Sequence, residues 1–189
     1  MKIRLRTIFQ EKLNGHYSNC RIRVKIKMFS LLVLKLDSIW IGAICNKEKL
    51  VRISLSFKKE SLFADLRISK DKERYSSSLL ERLRDDLIDY WHLKKINFDN
   101  YPLKLSDYSY FAKSVWKNTQ RIPYGEVRSY KWIAHKVNTR GYRAVGRVLS
   151  LNPFPIIIPC HRVIRNDGGL GGFSAGIEIK KRLLKIEKN

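Results

Sequence analysis

The apolar run Pro155-Ile156-Ile157-Ile158 leads directly into Pro159-Cys160-His161-Arg162-Val163, and the glycine-rich stretch Gly168-Gly169-Leu170-Gly171-Gly172 follows. A chain containing this passage must bury a strand-like hydrophobic segment, and in doing so it carries Cys160 into the interior. A buried thiol is a weak nucleophile until a neighbouring base takes its proton, and His161 is the adjacent candidate. The glycines lack Cβ atoms and let backbone approach whatever binds beside the thiol.

At 189 residues and 44% apolar content, the chain can fold around one sizeable core or two small domains. Its 39 Lys and Arg against 17 Asp and Glu give a formal charge of +22, which favours a polyanionic partner. Nucleic acid is the first candidate and an anionic membrane surface the second. Cys20, Cys45 and Cys160 form no disulfide framework and fit a reducing cytoplasm. The apolar runs 29–34 and 39–45 are separated by Lys35 and Asp37, so neither spans a bilayer, and no signal peptide is evident.

Three segments are expected. Residues 1–27 are a basic extension or edge strand, with alternation in Arg21-Ile22-Arg23-Val24-Lys25-Ile26-Lys27. Residues 28–100 form a β-rich α/β domain in which Asn46-Lys47-Glu48-Lys49 is a hairpin turn. A helix capped within 76–78 and running to about Lys95 covers its sheet, with Leu79, Leu80, Leu83, Leu87, Ile88 and Trp91 at helical spacing. Residues 101–189 are mainly helical. Ser106 or Asp107 caps a helix bearing Tyr110, Phe111, Val115 and Trp116, and Ser129 caps a second through about Val137. A third runs from about Arg140 to Leu151, stopped by Asn152-Pro153, so that the last two make a helix-turn-helix. The fold class is α+β.

Arg140, Arg143 and Arg147 charge the third helix, while Ala144 and Gly146 are small enough to bring its backbone close to a groove. The same spacing describes a helix packed on its neighbour with solvated arginines. The overall charge favours DNA.

Between residues 123 and 187 the chain resembles the C-terminal domain of the O6-alkylguanine-DNA alkyltransferases, the methylated-DNA-protein-cysteine methyltransferases. The matching blocks are Pro123-Tyr124-Gly125-Glu126-Val127 with Ser129-Tyr130, Arg143-Ala144-Val145-Gly146, Asn152-Pro153 and Ile158-Pro159-Cys160-His161-Arg162-Val163, in the family's order and spacing. The resemblance implies an RNase H-like N-terminal domain and irreversible transfer of an alkyl group to Cys160 from O6-alkylguanine, with O4-alkylthymine as a second candidate substrate. His161 is then the base, acting through a water, and Glu187 orients it. Tyr130 donates to the departing guanine; alone it would read as a helix-start core aromatic, and its place in Gly125-Glu126-Val127-Arg128-Ser129-Tyr130 favours the functional role. The target base is flipped out of double-stranded DNA through the minor groove, and Arg143 holds the gap. Arg140, Ala144, Gly146, Arg147 and Ser129 complete the DNA-binding set.

In the same resemblance Asn152 braces the turn before the cysteine segment, which is compatible with a plain helix C-cap. Pro155 lines the pocket mouth, the carbonyls of Cys160 and Val163 accept from the guanine amine, and Ser174 offers its backbone N–H to O6. Phe173 stands where several relatives carry tyrosine and retains a stacking role. Arg162 makes internal contacts. The protein is expected to act as a monomer without cofactor. His16 and Cys20 lack a second pair of ligands, so no metal is assigned, and Cys45 reads as core. Two other function classes fit less well: a non-catalytic protein that binds alkyl lesions, and a cysteine-dependent hydrolase or transferase acting on a small molecule.

Overall fold

The computed structural model describes residues 29–46, 48–68 and 77–188. The basic segment 1–27, with His16 and Cys20, lies outside them, as do Lys47 and Ser76 of the expected turn and cap.

The alternating aliphatic stretches form an antiparallel meander of β1 (Phe29–Leu36), β2 (Ile39–Asn46) and β3 (Lys49–Ser56), in the order β1-β2-β3. Because strand side chains alternate, β2 sends Ile39, Ile41, Ala43 and Cys45 into the main core and Ile44 to the opposite face. That opposite face is covered by α1 (Lys59–Leu66), which the sequence reading missed. Its Leu62 and Leu66 crowd Gly42 so closely that a Cβ there would lie 2.6 Å from a Leu66 methyl. The main face is covered by α2 (Ser78–Trp91), whose Ser77 side chain accepts from the Leu80 N–H. The helix stops short of the expected Lys95. Leu93 takes a left-handed φ of 67°, and the Lys94 N–H turns back to the carbonyl of Asp89.

The open edge of β3 is tied to later segments: the Leu50 N–H donates to Pro102, the Lys104 N–H to Leu50, and the Ile53 N–H to Pro153. Beyond them, α3 (Tyr110–Gln120) is capped by Ser109 rather than by Ser106 or Asp107. Those two residues bond to each other, and Asp107 also pairs with Lys104.

Ser129 caps α4 (Tyr130–Lys136), as the sequence suggested, and α5 (Tyr142–Ser150) follows a turn at Asn138, whose φ is 52°. This second helix of the pair is shorter than expected because Gly141, which offers no side-chain cap, begins it. The short strands β4 (Arg128–Ser129) and β5 (Val163–Ile164) pair in parallel, clamping the start of α4 to the segment after Cys160. The last helix, α6 (Ile177–Lys188), buries Ile179, Leu183 and Ile186. One buried cluster runs from Ile39 in β2 to Ile186 in α6. Antiparallel sheet and helices together make an α+β fold. Among the described residues no helix is long and apolar enough to cross a membrane.

Candidate active site

Cys160 is positioned by a sequence of tight turns. The Ile158 N–H returns to the Phe154 carbonyl at 2.8 Å, which requires Ile156 to adopt a φ of 75°, a costly conformation for a β-branched residue. Proline then sets φ −78° and ψ 62° at position 159, and the Cys160 N–H closes an inverse γ-turn onto the Ile158 carbonyl at 2.7 Å. A 3₁₀ turn, Cys160–Arg162, carries the cysteine, histidine and arginine into the interior, where they are 6%, 0% and 8% exposed.

The thiol is held from one side by Asn152. The amide nitrogen of Asn152 lies 3.0 Å from Sγ and donates at 2.8 Å to the Ile158 carbonyl, while its Oδ1 accepts from the Phe154 N–H at 2.9 Å. Burial pushes the Cys160 thiol up; the Asn152 hydrogen bond, the Lys180 charge and nearby backbone N–H groups oppose it.

On the other side of the turn, His161 Nε2 is 2.8 Å from Glu187 Oε1. Burial raises the Glu187 carboxyl, but the hydrogen bonds and charges of His161 and Arg162 outweigh it and hold the pKa near about 2. An ionised carboxylate can only accept, so Nε2 carries the proton and Nδ1 keeps its lone pair. Nδ1 is buried and has no hydrogen-bond partner among the described residues. Burial also lowers the His161 pKa, leaving a neutral ring at pH 7. Arg162 forks onto both carboxylate oxygens through Nε at 2.8 Å and Nη2 at 2.9 Å, and its Nη1 donates to the Ile122 carbonyl at 2.6 Å.

Two further buried residues belong to this network and were missed from the sequence. Lys180 is 0% exposed, and its Nζ donates to the carbonyls of Val163 and Leu170. Burial lowers its pKa to about 8, against the pull of Cys160. Tyr90 reaches in from α2 and donates to Glu187 Oε1 at 2.8 Å. Lys180 could have been found: it lies seven residues before Glu187, on the helix face that buries Leu183.

An open cleft of about 1130 Å³ exposes the cysteine side of the network. Tyr130, Arg143, Gly146, Cys160, Phe173 and Ser174 line it, gathering sequence candidates from four separate segments. Tyr130 leans over Gly171, where a Cβ would lie 2.8 Å from the phenol oxygen. Burial, reinforced by Cys160, raises the phenol pKa against a Gly172 backbone hydrogen bond, so the hydroxyl keeps its proton.

Ala144, Arg147 and Arg140 are exposed on or just before α5, and Ser129 is engaged as the cap of α4. Pro155, expected at the pocket mouth, and Val163 are both buried. The two turns around Ile156 fold Pro155 inward, where it bridges Ile158. The Val163 carbonyl already accepts from Lys180. Among the described residues no group of three or more His, Cys, Asp or Glu is placed to hold a metal.

The family description "6-O-methylguanine DNA methyltransferase, DNA binding domain" matches residues 110–189. A methylated-DNA–protein-cysteine methyltransferase of Methanocaldococcus vulcanius is 34% identical over 171 residues, covering 83% of this chain and 96% of that protein. One from Methanosarcina barkeri is 52% identical over 93 residues, 48% of this chain and 59% of the relative. Against relatives from Methanosarcina, Metallosphaera and Saccharolobus, the match spans 51% to 63% of the relative's length. The O6-methylguanine-DNA methyltransferase of Pyrococcus kodakaraensis superposes with a TM-score of 0.70 at 26% identity, covering 86% of this chain and all of that one. Mycobacterium tuberculosis OGT, solved in complex with DNA, gives 0.70 at 28% identity over 84% of this chain and 92% of its own. A buried cysteine with a histidine–glutamate pair behind it and two short helices, α4 and α5, joined by a tight turn beside it defines a class of protein built around a thiol in a cleft. This chain belongs to the methylated-DNA–protein-cysteine methyltransferase family.

Proposed function

We propose that this protein repairs alkylated DNA by moving the alkyl group from O6 of guanine to Cys160, once per molecule. The observation that carries the reading is the position of Cys160, buried in a cleft that α5 walls with Arg143 and Gly146. In this reading α5 enters the minor groove, Arg143 fills the gap left by the flipped base, and exposed Arg140 and Arg147 neutralise phosphates. Ala144 and Gly146 permit close approach. Phe173 stacks on the extrahelical guanine, and the Ser174 N–H meets O6.

The chemistry is an in-line displacement at the alkyl carbon. The Cys160 proton passes through a water to His161 Nδ1, the free lone pair created by the Glu187 hydrogen bond. The S–C bond forms as the C–O bond breaks, and the electron pair leaves on guanine. Tyr130, still protonated, donates to that developing charge. Lys180 places a cation near the forming thiolate. A thioether resists hydrolysis, so no second step regenerates the thiol. Within this reading residues up to 100 are an RNase H-like support, residues 101–189 carry DNA binding and alkyl acceptance, and the monomer is sufficient.

The test is a titration of protein against a duplex containing one O6-methylguanine. Restored guanine should reach a plateau at about one per protein molecule, and Cys160→Ala should bind the lesion and restore none. Continued turnover beyond that plateau, or restoration by Cys160→Ala, contradicts the proposal.

A further inference from the structure

Glu187 Oε1 accepts from three groups: His161 Nε2 at 2.8 Å, Arg162 Nη2 at 2.9 Å and the Tyr90 hydroxyl at 2.8 Å. The first two belong to the turn that holds the cysteine. Tyr90 is 97 residues distant in sequence from the glutamate and belongs to α2, the helix that covers the sheet.

Its ring is fixed before it meets the carboxylate. Tyr90 is 0% exposed and makes edge contacts with Phe98 at 5.7 Å and Tyr124 at 6.1 Å. The Tyr124 hydroxyl in turn donates to the carbonyl of Ile186, the residue before Glu187. Trp91, next on α2, donates to Asp37 at 2.9 Å, and Asp37 also accepts from Arg182 of α6. Consecutive residues of α2 thus reach α6 at two points, and only the first touches the relay.

We infer that Tyr90 is a positioning residue for Cys160 chemistry, acting through Glu187 to set the orientation and basicity of His161. A carboxylate that shares its charge among several donors is a weaker base. Removing the phenolic donor concentrates charge on Oε1, strengthens its hold on the imidazolium, and makes His161 accept its proton at higher pH. Among the described residues, the other ionisable groups facing the pair and Tyr90 are Tyr124 before β4, Arg162 on the turn and Lys180 on α6, and the substitution leaves all three in place. The alkyl-transfer role rests on the function proposed above; the coupling of Tyr90 to Cys160 does not.

The experiment measures the pH dependence of Cys160 alkylation by iodoacetamide in the full chain, read on the Cys160 peptide by mass spectrometry. No DNA is needed, so a failure of the repair reading cannot masquerade as a failure of this one. Tyr90→Phe keeps the ring and removes the donor, and its acid limb should move up by about half to one pH unit. Trp91→Phe removes the neighbouring link and should lower the melting temperature while leaving the midpoint unchanged. In a Glu187→Gln background, Tyr90→Phe should produce no further shift. A Tyr90→Phe midpoint coincident with wild type, or an equal shift from Trp91→Phe or in the Glu187→Gln background, overturns the inference.

Discussion

The side-chain nitrogen of Asn152 lies 3.0 Å from Cys160 Sγ, and it is the only side-chain hydrogen bond to the thiol among those identified in the described residues. A donor at that position stabilises the thiolate more than the thiol, so Asn152 offsets part of the penalty of burial. Hydrogen bonds to charged groups are worth about 1.5–3 kcal/mol. Asn152→Ala should therefore slow iodoacetamide alkylation of Cys160 at pH 7.5 by about tenfold or more. An unchanged rate would remove Asn152 from the thiol chemistry and leave it only its bonds to Ile158 and Phe154.

Lys180 joins two roles that substitution can separate. Lys180→Gln keeps a donor for the Val163 and Leu170 carbonyls but removes the charge, whereas Lys180→Met removes both. Both variants should raise the Cys160 thiol pKa, measured by thiolate absorbance. Lys180→Met should also lose about 2–3 kcal/mol of stability in urea unfolding, because a buried and a part-buried carbonyl are left without this partner. Equal thiol pKa values in wild type and both variants would show that the charge is not felt at sulfur.

Acid should weaken the fold through Glu187. Its carboxyl pKa is held near about 2 in the folded protein, below the usual 4.5, so the folded state binds fewer protons than the unfolded chain between those values. The stabilisation is complete above about pH 4.5 and is lost as pH falls toward 2. Glu187→Gln should destabilise the protein at pH 7 by about 3–5 kcal/mol, since it strips a buried ion pair of one partner. It should also flatten this part of the pH dependence. A stability profile with the same acid slope in variant and wild type would contradict the assignment.

Arg143→Ala should cut the rate of alkyl transfer from a lesion in duplex DNA by at least about tenfold. It should leave iodoacetamide alkylation of Cys160 within about twofold of wild type, since Arg143 is exposed on α5, apart from the buried turn that holds the thiol. Affinity for duplex DNA should also fall steeply with salt, as phosphate neutralisation by the exposed arginines releases counterions. Wild-type duplex repair by Arg143→Ala would refute its place in the flipped-base gap.

Much of the cysteine-bearing turn was legible because the relevant residues are consecutive. Cys160, His161 and Arg162 are neighbours in sequence, and the prolines and glycines around them signal turns in their own right. The Ser129 cap was equally visible, because Ser is followed by a short helical pattern. What stayed hidden depends on contacts between distant segments. Ser109 takes the cap in place of Ser106 and Asp107, which satisfy each other and Lys104. The α1 helix has neither a side-chain cap nor a strong apolar stripe, and tertiary packing against Gly42 defines it. Pro155 turns inward because of an unusual φ at Ile156, which no local pattern announces. Tyr90 carries no mark in the sequence of its own; its hydroxyl acquires meaning only when Glu187 arrives 97 residues later.

The central claim, that Cys160 itself receives the alkyl group, is tested most directly by peptide mass spectrometry after incubation with a duplex carrying a single O6-methylguanine. The predicted result is one added methyl on the peptide bearing Cys160, none on that bearing Cys45, and a matching loss of the lesion from DNA. Loss of the lesion with the Cys160 peptide unmodified, or a protein that binds the lesion and acquires no methyl, would contradict the account.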